Sequence, residues 1–270
     1  MIARRHLLKL LAAAPLFGVG DAFAAIPRVT QLMEDAKPLP KIAERIELIG
    51  RGLMGVRYQG YTLIGSATRP EQMVVRDDAF DCVTFCEVVL AAAAARNRAE
   101  FEPELKKIRY LDGKVDWRAR NHYWADWCQR NIDNKVCRPV MIGEPFKVTK
   151  DVNSEPAVGR RKFVLETIPG ERLVPNARLL SPGDIIGFVS RRPDLDYFHT
   201  GFVTFGKRGE LLARHASRSH RRVVEERIED FRAVNRTRSV TILRPAETTD
   251  RKSTRLNSSH SQQSRMPSSA

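Results

Sequence analysis

The chain has 270 residues, of which 42% are hydrophobic and 29% charged, and this size suits a single domain with one core. Its formal net charge of +14 favours anionic partners such as cell-wall polymers or membrane surfaces. The charge is spread along the chain without a dense basic block, so nothing in it indicates nucleic acid. None of the spacings of the four cysteines matches a Cys/His zinc pattern, which argues against a structural metal.

Residues 1–24 predict an export signal that is not part of the fold. They begin with basic residues, including Arg4 and Arg5, continue with a short apolar stretch over 10–20 and end in small residues. The paired arginines resemble the twin-arginine export signal, and an ordinary secretory signal is the alternative. The apolar stretch is too short to span a hydrocarbon core of about 30 Å, and no other segment is long and apolar enough. We therefore expect an exported, periplasmic protein without an integral membrane segment in its mature form.

The last residues, 251–270, predict a disordered tail, because they contain seven serines, no acidic residue and no hydrophobic period. Their sequence is typical of translated sequencing-adapter read-through, and it takes no part in the functional argument. The leader contributes +2 and the tail +4 to the net charge, which leaves about +8 for a domain over residues 25–250.

A cysteine stands where the longest apolar run of this domain begins. The segment 83–95 is rich in Leu, Val and Ala, with Glu87 as its one charge, and predicts a buried helix capped by Asp81. A thiol in the first turn meets unpaired N–H groups and the positive end of the helix dipole, which favours its thiolate. Cys82 is therefore a candidate nucleophile, and a small core hydrophobe is the alternative. Three nearby carboxylates oppose ionisation of the thiol, namely Asp77, Asp78 and Asp81.

The cysteines also allow a disulfide. Cys82 and Cys86 lie one turn apart on the predicted helix, where side chains rarely bridge. Cys128 and Cys137 flank a short polar segment and would close a small loop. Export by the twin-arginine route, in which folding precedes the oxidising compartment, weakens this pairing, and the sequence leaves it open.

The C-terminal half predicts an antiparallel set of strands, separated by turns rich in Gly and Pro. The predicted strands span 184–189, 198–205, 210–217 and 240–244. A short surface helix is predicted over 225–234.

Two histidines lie on the two strands of a predicted hairpin. A three-residue loop closed by a Phe205–Gly209 pair would place His199 directly opposite His215, whereas a two-residue loop would turn the rings to opposite faces. Directly opposed residues have Cβ atoms about 4.5–5.5 Å apart, close enough for one imidazole to orient the other. His199 is then the candidate base and His215 its orienting partner. His220 lies among arginines and predicts a solvated basic turn.

Taken together, these residues resemble the NlpC-type cell-wall cysteine peptidases, a bacterial branch of the papain-like fold. The shared pattern is Asp-Cys at a helix start, a Pro-Gly-Asp turn before a strand, His-x-Gly in the next strand and His-Ala-Ser after a hairpin. This chain has the four motifs in the same order, at 81–82, 182–184, 199–201 and 215–217. The motif Asp-Cys-Val-Thr-Phe at 81–85, followed by Glu87, is similar to that of the N-acetylmuramoyl-L-alanine amidase-like branch. The resemblance runs from about residue 52 to 245.

The resemblance implies an α+β fold of the papain-like, NlpC type, with the nucleophile helix packed on an antiparallel sheet. It implies amide hydrolysis by Cys82, His199 and His215, with no metal or organic cofactor. Tyr58 is similar to a family tyrosine that lies beside the nucleophile and helps to stabilise the oxyanion. Phe80 stands where some relatives that recognise a free amino terminus carry Arg, which argues against recognition of a free stem-peptide amine.

The implied substrate is peptidoglycan or its muropeptides, cut between N-acetylmuramic acid and L-alanine. One alternative is cleavage of the D-glutamyl–diaminopimelate bond by the same triad, and another is a wall-binding module without catalysis. The aromatic segment 117–127, which contains His122, could line a glycan groove, with Arg120 and Tyr123 as candidate substrate contacts. Asp81, next to Cys82, is a third candidate substrate contact. We favour the other interpretation of that segment, an amphipathic helix that uses Trp and Tyr as core. The sequence is silent on oligomeric state.

Overall fold

The structure is a computed structural model that describes residues 26–153 and 157–247, so the predicted leader and tail lie outside it. The described residues form a mixed α+β fold. The helices are α1 (Pro27–Ala36), α2 (Ile42–Gly52), α3 (Cys82–Ala94), α4 (Arg98–Arg109), α5 (Trp124–Asp133) and α6 (Ile228–Asn235). The strands are β1 (Arg57–Tyr58), β2 (Ala79–Phe80), β3 (Cys137–Val140), β4 (Phe146–Val152), β5 (Arg161–Pro169), β6 (Ile185–Val189), β7 (Tyr197–Phe205), β8 (Leu211–Ser217), β9 (Arg222–Arg227) and β10 (Ser239–Pro245).

The strands form one sheet in the order β2-β1-β9-β8-β7-β6-β10-β5-β4, with β3 also paired to β10. The β1–β2 pair is parallel, and the other pairs are antiparallel. Strands β6 to β9 follow one another along the chain as a meander. Among them, the predicted strands 184–189, 198–205 and 210–217 are confirmed to within one residue as β6, β7 and β8. A β-bulge between Phe188 and Val189 shifts the pairing of β6 with β7.

The sheet carries an apolar cluster on each face. Successive side chains of a strand point to opposite faces, and neighbouring residues such as Phe202 and Val203 accordingly belong to different clusters. Helices α1 to α4 pack on the Phe202 face, where the ring of Phe85 on α3 lies 5.9 Å from that of Phe202. Helix α6 covers part of the other face.

Helix α3 is the most deeply buried of the described helices and confirms the predicted run. All of its residues from Thr84 to Ala94 are buried, so it is apolar around its whole circumference. Its one charged side chain, Glu87, pairs with Arg109 of α4 at 2.7 Å, and both side chains are only 2% exposed. Arg109 also donates to the carbonyl of Val74 at 2.7 Å. This ion pair fixes α3 against α4 and so contributes to the position of Cys82.

Two predicted helices differ from the structure. Residues 222–227 extend the sheet as β9, and the helix begins only at Ile228. The β-branched Val223 and Val224 suit a strand, and pairing with β8 outweighs the local helical pattern. In the aromatic segment, 117–119 form a 3₁₀ turn and the α-helix begins at Trp124. Over the two described ranges, no helix is long and apolar enough to cross a bilayer.

Candidate active site

Cys82 is the first residue of α3, and the cap of this helix is the one predicted from sequence. The carboxylate of Asp81 accepts from the backbone N–H of Thr84 at 2.7 Å, while the Thr84 hydroxyl accepts from the N–H of Asp81 at 3.0 Å. The two residues thus satisfy each other's exposed backbone donors. Cys82 itself is half-buried and lines the grooves at the helix start.

Two of the three acidic residues near the thiol are engaged elsewhere. Asp77 accepts from the backbone N–H groups of Arg28 and Val29 at the start of α1. Asp78 is held by the guanidinium of Arg76 through contacts of 2.7 and 2.8 Å. Asp81 is therefore the carboxylate that acts on the thiol.

Burial raises the pKa of the Cys82 thiol to about 12, and the negative charge of Asp81 adds to this effect. The backbone N–H groups of Thr200, Cys82 and Val83 oppose it by lowering the pKa. The expected stabilisation of a thiolate at the helix start is thus present but outweighed. The resting group is a neutral thiol, which needs a base to become a nucleophile.

The two histidines share a face of the sheet, as predicted, but their register is different. Phe205 pairs with Leu211, not with Gly209, so the hairpin loop covers residues 206–210. This register places His215 across from Gly201 and diagonal to His199, and the predicted direct opposition is wrong. Because the shift is an even number of residues, both rings still point to the same side.

His199 and His215 are in direct contact. Nε2 of His199 lies 2.6 Å from Nδ1 of His215, and the ring planes are nearly perpendicular at 89°. Phe231 of α6 packs against both imidazoles, with centroid distances of 5.1 Å to each. Burial lowers the pKa of His199 well below its usual value of 6.5, and the neighbouring His215 adds to this shift. Both findings describe a neutral imidazole whose orientation is fixed by its neighbours.

Cys82 and His199 line the same small cavity of about 190 Å³, together with residues of the segment that precedes β7. The thiol also lies beside the backbone N–H of Thr200, the residue that follows His199. Within the part of the chain that the structure describes, no hydrogen bond joins the sulfur to the imidazole. Contacts between catalytic groups are often looser before substrate binds, so this arrangement is compatible with proton transfer from thiol to Nδ1.

Tyr58 lies with Cys82 in a second, larger groove of about 830 Å³ that opens at the start of α3. Burial raises the pKa of Tyr58, and the charges of Cys82 and Asp81 act in the same direction. The hydroxyl therefore stays protonated and can donate a hydrogen bond into the groove. Tyr61, fully exposed with a φ of 58°, and Arg218 also line this groove.

Two other predicted substrate contacts, Arg120 and Tyr123, are held by neighbouring residues of the protein. Arg120 lines the larger groove, but its guanidinium pairs with Glu71 at 3.3 Å and donates to the carbonyl of Gly65 at 3.2 Å. These contacts hold its guanidinium against the groove wall. Tyr123 is buried and packs on Phe163, which fits the core interpretation of the aromatic segment.

One carboxylate near the imidazoles, that of Glu226, was not predicted as part of the site. Glu226 lies 2.8 Å from His215, with its Oε2 facing Nε2. Because Glu226 fell within the helix predicted over 225–234, it was not recognised as a neighbour of His215. The β-branched residues Val223 and Val224 were the signal for a strand. His220 lies in an exposed turn, as predicted, where its Nδ1 is 3.0 Å from the hydroxyl of Ser217.

None of the remaining cysteines forms a disulfide. Cys128 and Cys137 are both buried. Burial raises the pKa of Cys128, and the nearby Cys137 adds to this shift, yet no disulfide joins the two residues. Cys86 lies one turn into α3 and contacts the hydroxyl of Thr200 at 3.8 Å. In the two described ranges, no group of three His, Cys, Asp or Glu side chains is arranged to hold a metal ion.

The chain belongs to the AmiA-like family, described as N-acetylmuramoyl-L-alanine amidase-like, whose model matches residues 48–238. The match includes both strands of the histidine hairpin and the start of α3. Comparison with curated proteins finds no match.

Solved structures with the same fold come from several bacteria. A structure of an N-acetylmuramoyl-L-alanine amidase from Bacteroides uniformis has a TM-score of 0.67 at 23% identity, covering 76% of this chain and 99% of that one. A putative xylanase from Bacteroides fragilis has a TM-score of 0.63 at 26% identity, covering 72% and 98%. A protein from Legionella pneumophila, matched by the DUF1460 family model, has a TM-score of 0.69 at 20% identity, covering 82% and 95%.

Proposed function

We propose that this protein is an exported cysteine amidase that cleaves the bond between N-acetylmuramic acid and L-alanine in peptidoglycan or its fragments. Family membership supports a peptidoglycan amidase-like activity. The observation that carries the cysteine mechanism is the imidazole pair, 2.6 Å apart, of which His199 lines one cavity together with Cys82. The assignment to an NlpC-type, papain-like fold is part of the same proposal.

In this mechanism the thiol proton passes to Nδ1 of His199 as the sulfur attacks the amide carbonyl. Since the thiol pKa is raised and the imidazole pKa lowered, the resting pair is neutral and the proton moves during attack. The imidazolium then protonates the leaving amine of L-alanine, which leaves the muramoyl group as a thioester on Cys82. Water, deprotonated by the same imidazole, hydrolyses the thioester to a carboxylate and restores the thiol.

Developing negative charge on the carbonyl oxygen needs donors near the sulfur. The backbone N–H of Cys82 has no carbonyl partner within its own helix, because it belongs to the first turn. The Tyr58 hydroxyl lines the groove from the other side and remains protonated. These two groups are the proposed oxyanion donors.

Carbohydrate hydrolysis, the activity in the name of the Bacteroides fragilis structure, has weaker support in this site. Glycosidases generally use a pair of carboxylates that flank the scissile bond. Among the described residues that line the larger groove, Asp81 is the one carboxylate, and it is engaged in capping α3.

The test is digestion of defined muropeptides followed by mass spectrometry, with wild-type protein and Cys82→Ala side by side. We expect free disaccharide and intact stem peptide from the wild type and no products from the variant. A released tripeptide would instead assign cleavage to the D-glutamyl–diaminopimelate bond. Binding without turnover by the wild type would leave a wall-binding module, and unchanged turnover by Cys82→Ala would remove the cysteine from catalysis.

A further inference from the structure

The carboxylate of Glu226 stands at the far end of the imidazole pair. Its Oε2 lies 2.8 Å from Nε2 of His215, and that side chain of His215 is only 1% exposed. The approach is too bent for a regular hydrogen bond, but both atoms are buried and neither has another hydrogen-bond partner in the described residues. An unpaired buried donor or acceptor is costly, so each atom is the natural partner of the other.

Strand pairing explains why this carboxylate reaches the imidazole. Glu226 pairs with Ala213, two residues from His215 on β8, so its side chain points to the same face of the sheet. Glu225, one residue earlier, points to the opposite face and binds Arg214 at 2.5 Å. The two adjacent glutamates therefore serve different faces of the sheet.

We propose that Glu226 is a positioning residue that sets the tautomers of both imidazoles. The tautomer assignment is independent of the proposed function, and only the expected effect of Glu226 on activity rests on that function. An ionised carboxylate can only accept, so Nε2 of His215 must carry a hydrogen. Nδ1 of His215 then bears the lone pair and accepts from Nε2–H of His199. Nδ1 of His199 is thereby left as an acceptor, which is the state that the Cys82 thiol requires.

Electrostatics support the same assignment. The negative charge of Glu226 raises the pKa of His215, although burial, the larger effect, leaves that pKa below its usual value. The chain of contacts stays neutral apart from the carboxylate until His199 takes a proton, and the charge of Glu226 then favours the imidazolium. A second imidazole, His220, lies 3.6 Å from the same Oε2 and faces it from the exposed turn.

The first test reads the tautomers directly and needs no substrate. ¹⁵N NMR of histidine-labelled protein at neutral pH should show His199 and His215 both as the Nε2–H tautomer. In Glu226→Gln the amide can also donate to Nε2, so we expect the His215 signals to change towards mixed or Nδ1–H forms. A wild-type His215 in the Nδ1–H form, or unchanged signals in the variant, would overturn the proposal.

The second test is kinetic. Glu226→Gln should lower kcat by roughly 10–100-fold with little change in KM, by analogy with metal sites, where loss of the outer hydrogen-bond partner of a ligating histidine has an effect of this size. Glu226→Asp should recover part of the loss, and Glu229→Gln, which neutralises an exposed carboxylate on α6, should leave kcat unchanged. Thermal unfolding of each variant separates this effect from misfolding. Wild-type kcat in Glu226→Gln would exclude the role, whereas an inactive wild type would refute the proposed function and leave the NMR result standing.

Discussion

Gly201 of β7 lies so close to His215 of β8 that a Cβ atom at Gly201 would come within 2.8 Å of the His215 Cβ. It would also lie 2.7 Å from the carbonyl oxygen of Arg214. The absence of a side chain at this position therefore gives His215 the room to lean diagonally towards His199. This accounts physically for the glycine two residues after the first histidine.

We expect Gly201→Ala to push β8 away from β7 and to break the imidazole contact. Overpacking of this kind costs about 1–3 kcal/mol of unfolding free energy, and kcat should fall at least about tenfold because proton transfer depends on orientation. Urea unfolding and muropeptide turnover measure the two effects. Gly206→Ala in the hairpin loop, where mainly the flexible, half-buried Glu210 side chain must move, is the control. Wild-type activity in Gly201→Ala would contradict this role.

The raised pKa of the Cys82 thiol predicts how its reactivity changes with pH. Alkylation by iodoacetamide should keep accelerating through pH 9, without a plateau near neutrality, because only the thiolate reacts. Asp81→Asn retains a capping side chain and removes the charge, so it should react faster at a given pH. Peptide mass spectrometry assigns the modified cysteine. A plateau below pH 8 would show instead that the resting site holds a thiolate–imidazolium pair.

The lowered pKa values of His199 and His215 predict acid sensitivity. Below about pH 6.5 the unfolded chain binds protons that the folded imidazoles do not, so stability should fall as the pH decreases from 6.5 towards 5. Urea unfolding at several pH values in this window measures the slope, above the range where most carboxylates titrate. His199→Asn should flatten the slope, and equal slopes in wild type and variant would disprove the assignment.

The exposed Arg218 predicts a contribution to substrate binding. It lines the larger groove with Tyr58 and Cys82, and in the described residues no ion pair engages its guanidinium. Muropeptide stems carry carboxylates, and a hydrogen bond to a charged group is worth about 1.5–3 kcal/mol. Arg218→Ala should therefore raise KM about tenfold with kcat little changed. Arg222→Ala, an exposed arginine of β9 outside the groove, is the matched control, and equal KM values for the two variants would argue against this contact.

The buried ion pair of Glu87 with Arg109 predicts a large stability effect far from solvent. Removing one partner leaves an uncompensated buried charge, so Glu87→Ala should lose about 3–5 kcal/mol of unfolding free energy. The exposed pair of Arg192 with Asp194 offers a comparison, since Asp194→Ala should cost far less unfolding free energy. Denaturant unfolding measures both. Similar losses in the two variants would show that the buried pair does not hold α3.

Local patterns were sufficient for the elements that carry the site. The apolar run after Asp81 and its capping chemistry predicted α3 to within one residue, because helix starts depend on neighbours in the chain. For the histidine hairpin, the sequence predicted a shared face only for an odd-length loop, and the observed loop over 206–210 keeps that parity although the register differs. By contrast, the short helix predicted over 225–234 failed where a long-range partner, β8, was available to residues 222–227.

The sequence alone thus determined which reactive groups are present. They are a thiol at a helix start and two imidazoles on the strands of one hairpin, in a motif order that resembles a known family. Only the tertiary structure decided which groups meet and how they are ionised. The hairpin register, the contact of Glu226 with His215 and the capture of Arg120 by Glu71 all depend on residues distant in the chain. The thiol pKa likewise depends on how densely the fold surrounds the sulfur, since desolvation is a property of packing and not of sequence neighbours.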